Sequence, residues 1–220
     1  MARNRDPFTQ ALSSLRERIL CGAVAGGSPV IVQDEAERLR LSTTPVREAL
    51  ARLSGEGLVE RAPSGGYVAV RLDAAAARDR YTMQAHYVRI AFELNRRALG
   101  LLRLPTPGFP AGQPAAAVDQ LFSILVRCAG NRVLWEAYRR VRGQLDLLRR
   151  LEPRLFDDLE EEAAGLYAAW SEETAPRFES AVVRYHDRRI GASAALAALA
   201  LVEARSDPDP PASDEHASNG

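Results

Sequence analysis

The feature that most constrains the fold is a change of pattern near residue 72. Before it, stretches with a helical spacing of apolar residues are followed by short β-prone runs; after it, only helical spacing remains. Helices and strands bury their side chains with different periods, so the two parts of the chain require different architectures. The pattern therefore predicts a mixed N-terminal domain and an all-helical C-terminal domain.

The N-terminal part is predicted to form three short helices and a β-hairpin. Helical spacing places the first two helices at residues 8–22 and 34–40. The third is predicted to start with Thr44 as N-cap and Pro45 at the first helical position, where its missing N–H costs nothing. The β-prone runs cover residues 58–61 and 67–71. This order of elements is the layout of a winged helix-turn-helix.

The C-terminal part is predicted to be an all-α helical bundle. The pattern indicates one long helix, a proline-rich loop and five further helices, at residues 73–104, 105–114, 115–129, 131–151, 155–173, 176–189 and 192–204. The predicted fold class is thus mainly α, with a winged helix-turn-helix domain at 1–72 and a helical domain at 73–205. Residues 206–220 are rich in Asp, Pro and Ser and are predicted to be a disordered acidic tail.

Charge and motif content narrow the possible functions. The 220 residues include 29 basic and 29 acidic side chains, the basic ones all arginine, so the formal net charge is zero. Residues 1–72 hold 10 arginines and 8 acidic residues, so nucleic-acid binding would depend on a few placed arginines. The sequence has no Ser-His-Asp order, histidine cluster, phosphate-binding loop or long apolar span. We expect a cytoplasmic protein that is neither an enzyme nor a membrane protein.

The start of the third predicted helix carries residues that could contact DNA. Its first turn holds the hydroxyl side chains of Ser42, Thr43 and Thr44. Arg47 can fork onto a guanine edge or clamp a phosphate. At the wing tip, Gly65 and Gly66 have no Cβ and would let the backbone approach a sugar-phosphate chain. Singly, these features more often mark only a capped helix and a turn; their joint order favours a DNA-binding winged helix.

A resemblance to the DNA-binding domain of GntR-type bacterial transcriptional regulators is carried by LSTTPVREALARLSGEGLVERAPSGGYVAV, with LRERILCG before it. The resemblance covers roughly residues 9–71 and implies a winged helix that binds double-stranded operator DNA as a homodimer. Arg47 matches an arginine of the family motif. Two other arginines of that motif are replaced here, by Thr43 and by Gln33. Gln33 could still bond an adenine edge, so base preference could be altered or lost.

The helical part resembles the ligand-binding FCD domain of the FadR branch of that family. The likeness rests mainly on residues 81–98 and 119–135, in which Arg89 and Asp119 fall on an arginine and an aspartate of the branch. The resemblance implies that these two residues help to bind a small carboxylate effector. Alternatively, Arg89 pairs with Glu93 one helical turn away, and Asp119 caps a helix.

Many members of that branch hold a divalent metal through one aspartate and three histidines. Here Ser123 stands four residues after Asp119, where the motif has histidine. The histidines of the chain are His86, His186 and His216. None falls at a remaining ligand position, so neither a metal nor another cofactor is predicted. His186 is then expected to be a surface residue beside Asp187.

These observations together predict a homodimeric transcriptional regulator whose helical domain responds to a small metabolite. Two alternatives stay open. In the first, the winged helix serves protein contacts rather than DNA, which the residues Thr43 and Gln33 would favour. In the second, the regulator binds DNA but has lost ligand sensing.

Overall fold

The structure, a computed structural model, describes residues 6–99, 107–171 and 175–206. The predicted tail beyond residue 206 and residues 100–106 of the predicted long helix and loop lie outside these ranges. Within them the chain is mainly helical, with one small sheet in its N-terminal part, which confirms the predicted fold class. No helix of the described ranges is long and apolar enough to cross a membrane.

The N-terminal domain contains the three predicted helices and a three-stranded sheet. Its elements are α1 (Pro7–Leu20), β1 (Pro29–Val30), α2 (Val32–Leu39), α3 (Thr43–Glu56), β2 (Val59–Arg61) and β3 (Tyr67–Ala69). The predicted hairpin is present as β2 and β3, which pair in antiparallel orientation. β1, in a segment whose sequence also suggests extended backbone, pairs with the other edge of β3 and adds a third strand to the predicted hairpin. A strand of two residues has almost no pattern of its own and is recognised only through its partner.

Local signals determine where these helices begin and end. The Asp6 carboxylate accepts a hydrogen bond from the Thr9 amide at 3.2 Å, and so caps α1. The predictions of Thr44 as the cap of α3 and of Pro45 as its first residue are wrong: the helix begins at Thr43, Pro45 is its third residue, and Ser42 stands at the N-cap position without a side-chain capping bond. α3 ends at Gly57, whose φ of 72° is a left-handed conformation that favours glycine.

The core of this domain lies where α1 crosses α3. Leu15 of α1 and Leu50 and Leu53 of α3 are completely buried there, and Val59 and Ala69 of the sheet close one side. Burial of each large aliphatic side chain contributes about 1.5–3 kcal/mol. This packing holds α3 in place while its other face remains free.

The helical domain follows directly. The described residues after Leu72 form α4 (Ala74–Leu99), α5 (Pro114–Cys128), α6 (Arg132–Gln144), α7 (Asp146–Leu151), α8 (Leu159–Ser171), α9 (Ala175–Gly191) and α10 (Ser193–Ser206), with a 3-10 turn at Glu152–Arg154. The prediction of a single helix over 131–151 is wrong, because the helix is interrupted at Leu145, between α6 and α7. The break places Leu145 and Leu148 in one core with Tyr81 of α4 and Leu196 of α10.

A buried ion-pair network ties four segments of this domain together. Arg189 of α9 and Glu152 are each 1% exposed and form two hydrogen bonds, of 3.0 and 2.8 Å. The Tyr81 hydroxyl donates to Glu152 at 3.1 Å, and Glu162 of α8 accepts from Arg189 at 3.1 Å. Buried charges are costly unless they are paired. The contacts with Glu152 and Glu162 therefore offset the cost of burying the Arg189 guanidinium inside the bundle.

Polar contacts also join the two domains. Arg150 of α7 donates to Glu17 of α1 at 2.9 Å, and this guanidinium lowers the pKa of the Glu17 carboxyl. Gln144 of α6 donates through Nε2 to the Gly57 carbonyl at 3.0 Å and accepts through Oε1 from Arg80 at 3.0 Å. The C-terminal end of α3 is therefore bonded directly to the helical domain.

His186 is buried, so its prediction as a surface residue is wrong. It is 1% exposed, its ring stacks on Phe122 with centroids 5.4 Å apart, and its Nδ1 lies 2.8 Å from the Val182 carbonyl oxygen. Helical spacing puts the residue on the inner face of α9, one turn after Val182. Burial lowers the pKa of His186 from 6.5 to about 4.

This burial predicts that acid weakens the fold through His186. Between pH 6.5 and about 4, the unfolded chain binds a proton at this residue and the folded chain does not, so its contribution to stability is complete above that window and lost below it. His186→Phe keeps a ring against Phe122 and removes the titration. From urea unfolding near pH 7 and near pH 5, its free energy of unfolding should fall less with acid than that of the wild type.

The matched control is His86→Phe, because His86 is exposed on α4. That variant should keep the wild-type dependence on pH. If the free energy of unfolding of His186→Phe and of the wild type fell by the same amount on acidification, His186 would not be held neutral by burial in the folded chain.

Candidate nucleic-acid interface

The first turns of α3 present a polar face to solvent. Ser42, Thr44 and Arg47 are exposed, and Thr43 is half-buried. The opposite face is buried in the domain core through Val46, Ala49 and Leu50. Ser42 makes no side-chain capping bond, so its hydroxyl is available to an external partner. The structure thus brings these four predicted contact residues together on one end of one helix, whose width suits a major groove.

The two ends of α3 differ in how their arginines are used. Near the C-terminal end, Glu56 binds Arg52 at 3.1 Å and Arg16 of α1 at 2.6 Å. Among the described residues, Arg47 has no such hydrogen bond or ion pair. A guanidinium without an internal partner keeps all five N–H donors for a phosphate or a base edge.

Gln33 is exposed in the first turn of α2. The orientation of α2 is fixed by Glu35, which is buried and accepts from Arg38 at 2.6 Å. Arg38 also donates to Ser14 of α1 at 3.1 Å. The sequence analysis missed this anchor, because the contact between Arg38 and Ser14 joins residues that are distant in sequence. It leaves Gln33 on the outer side of the helix.

The tip of the wing is exposed and narrow. Gly65 and Gly66 have φ values of 90° and 82°, and no atom lies within 4 Å of where a Cβ would stand on either residue. The turn is closed by hydrogen bonds of Ala62, whose carbonyl accepts from the Gly65 amide at 2.9 Å and whose amide donates to the Gly66 carbonyl at 3.2 Å. The conformation requires glycine, while the space beyond the tip is open to a partner.

Asp119, a predicted effector-binding residue, forms ion pairs inside the helical domain. α5 begins at Pro114, so Asp119 lies beyond the first turn, and the alternative that it caps the helix is wrong. Its carboxylate accepts from both Arg142 of α6 and Arg149 of α7. Arg149 in turn pairs with Asp146. The residue therefore links three helices through arginines that sequence spacing did not reveal.

Arg89, the other predicted effector residue, is exposed on α4, and among the described residues it forms no ion pair with Asp119 or with Glu93. The alternative pairing of Arg89 with Glu93 is thus not observed. No group of three or more His, Cys, Asp and Glu side chains in the described part of the chain could hold a metal ion. His86 and His186 lie on α4 and α9, one exposed and the other buried.

Several buried polar atoms of the helical domain lack an internal partner. They are Gln84 Oε1, Asn95 Oδ1 and His186 Nε2, whereas the buried hydroxyls of Ser123 and Tyr138 interact with each other. Burial, and secondarily the charge of Asp119, raise the pKa of Tyr138 to about 12, so its hydroxyl stays protonated and can donate. Unsatisfied buried polar atoms are uncommon in folded proteins and call for a water or a ligand. Their positions could not be read from the sequence, where each is a single polar residue on an apolar helix face.

Comparison with known proteins agrees with this geometry. Residues 8–68 match the sequence model of the family described as bacterial regulatory proteins, gntR family. A curated relative is the uncharacterized HTH-type transcriptional regulator in an unstable DNA locus of Streptomyces ambofaciens, 30% identical over 156 residues. These residues are 62% of this chain and 62% of that protein, so the match spans about three fifths of the relative. The matched family and relative are regulators and not enzymes, as the sequence analysis predicted.

Two solved structures share the fold. E. coli McbR/YncC has a TM-score of 0.56 and 20% identity, with 86% of this chain and 97% of that chain covered. A GntR protein of Rhodococcus sp. RHA1 has a TM-score of 0.60 and 17% identity, with 86% and 96% covered. The likeness extends beyond the winged helix into the helical part. Residues 8–68 of this chain therefore match the gntR family model, and the chain, helical part included, has a fold similar to that of these two solved structures.

Proposed function

We propose that this protein is a transcriptional regulator that binds operator DNA as a homodimer in the cytoplasm. Residues 1–72 would bind DNA, and residues 73–205 would dimerise and bind an effector. Each α3 would enter the major groove of one half-site of a near-palindromic operator, with the wing against the adjacent backbone. This proposal extends the family assignment of the N-terminal domain to the activity of the whole chain.

The observation that carries the proposal is the exposure of Arg47 near the start of α3. Arg47 forms no hydrogen bond or ion pair with any described residue. It stands beside Ser42 and Thr44 on a helix whose other face is locked into the core. The domain offers little bulk positive charge, so a single placed guanidinium carries much of the possible recognition. We assign Ser42, Thr43 and Thr44 to phosphate or thymine-methyl contacts and Gln33 to a contact from α2.

We further propose that the helical domain is FCD-like and binds a small carboxylate-bearing metabolite without a metal. Support comes from the buried hydroxyls of Ser123 and Tyr138, which interact with each other near Asp119, and from Arg142 and Arg149, which bind the Asp119 carboxylate. A carboxylate ligand could share these guanidinium groups with Asp119. Asp119 would then position the arginines. Arg89 is exposed away from this ion-pair cluster, so its assigned role requires a partner or ligand at the surface.

The test is binding of the purified full chain to the DNA upstream of its own coding region. Footprinting should show two protected half-sites about one helical turn apart, and fluorescence anisotropy on that fragment should show an affinity that falls steeply with salt. A scrambled fragment of the same length is the control. Light scattering on free and bound protein should give two chains per operator.

The outcomes separate the alternatives. Absence of DNA binding at low salt would reject the proposal and favour a winged helix used for protein contacts. Equal affinity for the operator and the scrambled fragment would leave only non-specific binding and would also contradict it. Unchanged operator affinity across a panel of small carboxylates, with specific DNA binding intact, would favour a regulator that has lost ligand sensing.

A further inference from the structure

A cavity of about 380 Å³ lies between the winged helix and the helical domain. One wall comes from the end of α1, from the link before β2 and from β3, through Ile19, Leu58 and Ala69. The facing wall comes from the helical domain, through Leu147 of α7 and Leu201 of α10. The connecting segment, including Leu72, closes a third side. The volume is in the range of small-molecule sites in proteins.

The walls of this cavity are aliphatic, and their apolar surface is incompletely covered. Leu201 remains 50% exposed, and Leu72 and Leu147 are only half-buried although they pack against a hydrophobic core. An aliphatic ligand would remove this surface from water, which is favourable. The interior of the cavity therefore selects an apolar molecule.

Among the polar residues at the cavity, Arg71 has unused hydrogen-bonding capacity. Gln144 is bonded at both ends, to Gly57 and to Arg80. The Asp73 carboxylate accepts from the Ala76 amide at 2.8 Å and caps α4. Arg71 is exposed and has no hydrogen bond or ion pair with a described residue. Its guanidinium lies against Gly27, where a Cβ would stand 2.9 Å from Nη2, so the side chain is held beside the cavity.

We propose that this interdomain cavity is a second ligand site, which takes a small aliphatic molecule with one anionic end. The chain of the ligand lies between the leucines of the two domains, and its anion pairs with Arg71. The site is separate from the Asp119 cluster and does not depend on DNA binding. Because both domains contribute walls, a bound molecule favours the domain arrangement that encloses it.

The test uses octanoate and 1-octanol as probes, with calorimetric titration of the full chain below the concentration at which octanoate self-associates. Octanoate should bind more tightly than 1-octanol. Leu201→Trp should fill the cavity and abolish binding of both, whereas Val183→Trp, at another exposed apolar position, should bind both like the wild type. Arg71→Gln should weaken octanoate about threefold, the size expected of an exposed ion pair, and leave 1-octanol unchanged.

Methyl NMR of the wild type gives an independent measurement if Leu201→Trp fails to fold. Octanoate should shift the methyl signals of Ile19, Leu58 and Leu147 and leave those of Leu121, in the core of the bundle, in place. Shifts confined to the bundle core, or unimpaired octanoate binding by a folded Leu201→Trp, would overturn the proposal. Equal loss of both probes in Arg71→Gln would overturn the assignment of the anionic end.

Discussion

Arg47→Ala is expected to weaken operator binding more than any other single arginine substitution in residues 1–72. Arg47 is the exposed guanidinium in the early turns of α3, and no described residue neutralises it. A good bidentate contact to a base edge is worth about 1–3 kcal/mol, or roughly a 5- to 150-fold change in dissociation constant. Anisotropy titrations of wild type and variant on the same operator fragment at one salt concentration measure the ratio.

The matched control is Arg52→Ala, on the same helix. Arg52 already pairs with Glu56 and lies toward the end of α3 that is bonded to the helical domain. Its loss should change operator affinity by no more than about twofold, as expected for an exposed ion pair remote from the groove. If Arg47→Ala bound like the wild type, the assignment of α3 as the recognition helix would be wrong.

The salt dependence separates two possible roles of Arg47. Loss of a phosphate contact should reduce the slope of log affinity against log salt by about 1 and weaken all DNA sequences alike. Loss of a base contact should leave the slope nearly unchanged and relax the preference at one base pair. Either result supports a contact between Arg47 and DNA, and it identifies whether Arg47 binds a phosphate or a base.

The winged helix could be predicted from the sequence because its signals are local. Pro45 near the start of α3, Gly57 at its end and the glycine pair of the wing tip each determine the backbone at their own positions. The exposed contact residues follow from helical spacing once the buried face is known. The pairing of β1 could not be predicted, since Pro29 and Val30 count as a strand only because β3 lies beside them.

The interior of the helical domain was less predictable, because its decisive contacts join distant residues. Asp119 is bound by Arg142 and Arg149, which lie 23 and 30 positions further along the chain. A helix wheel shows Asp119 as a polar residue but gives no sign of its partners. The burial of His186 has the same origin: its neighbour Phe122 comes from α5, not from its own helix.

The arginine-only set of cations has two distinct uses in this fold. In the winged helix, Arg47 is exposed and unpaired among the described residues, as a contact to an outside anion requires. In the bundle, Arg149 and Arg189 are buried and pair with carboxylates from other segments. The planar guanidinium suits both uses, since it makes several hydrogen bonds at once. Arginine content alone therefore does not indicate where nucleic acid binds.

The largest loss of stability is expected from Arg189→Met. The change keeps an apolar stem of similar length but leaves the Glu152 carboxylate, 1% exposed, without its guanidinium partner. Removing one member of a buried ion pair costs about 3–5 kcal/mol, a large share of the ~5–15 kcal/mol that holds a typical domain together. Urea unfolding followed by circular dichroism near pH 7 measures the change in free energy of unfolding.

The double variant Arg189→Met/Glu152→Gln tests the cause of that loss. The second substitution removes the unpaired charge and keeps an acceptor for the Tyr81 hydroxyl, while Glu162 retains Arg188 at 3.4 Å. If the uncompensated carboxylate causes the loss, the double variant is more stable than Arg189→Met alone. Arg132→Ala, which removes an exposed pair with Glu136, should leave the unfolding midpoint nearly unchanged. A double variant as unstable as the single one would show that packing of the Arg189 side chain, rather than its charge, stabilises the bundle.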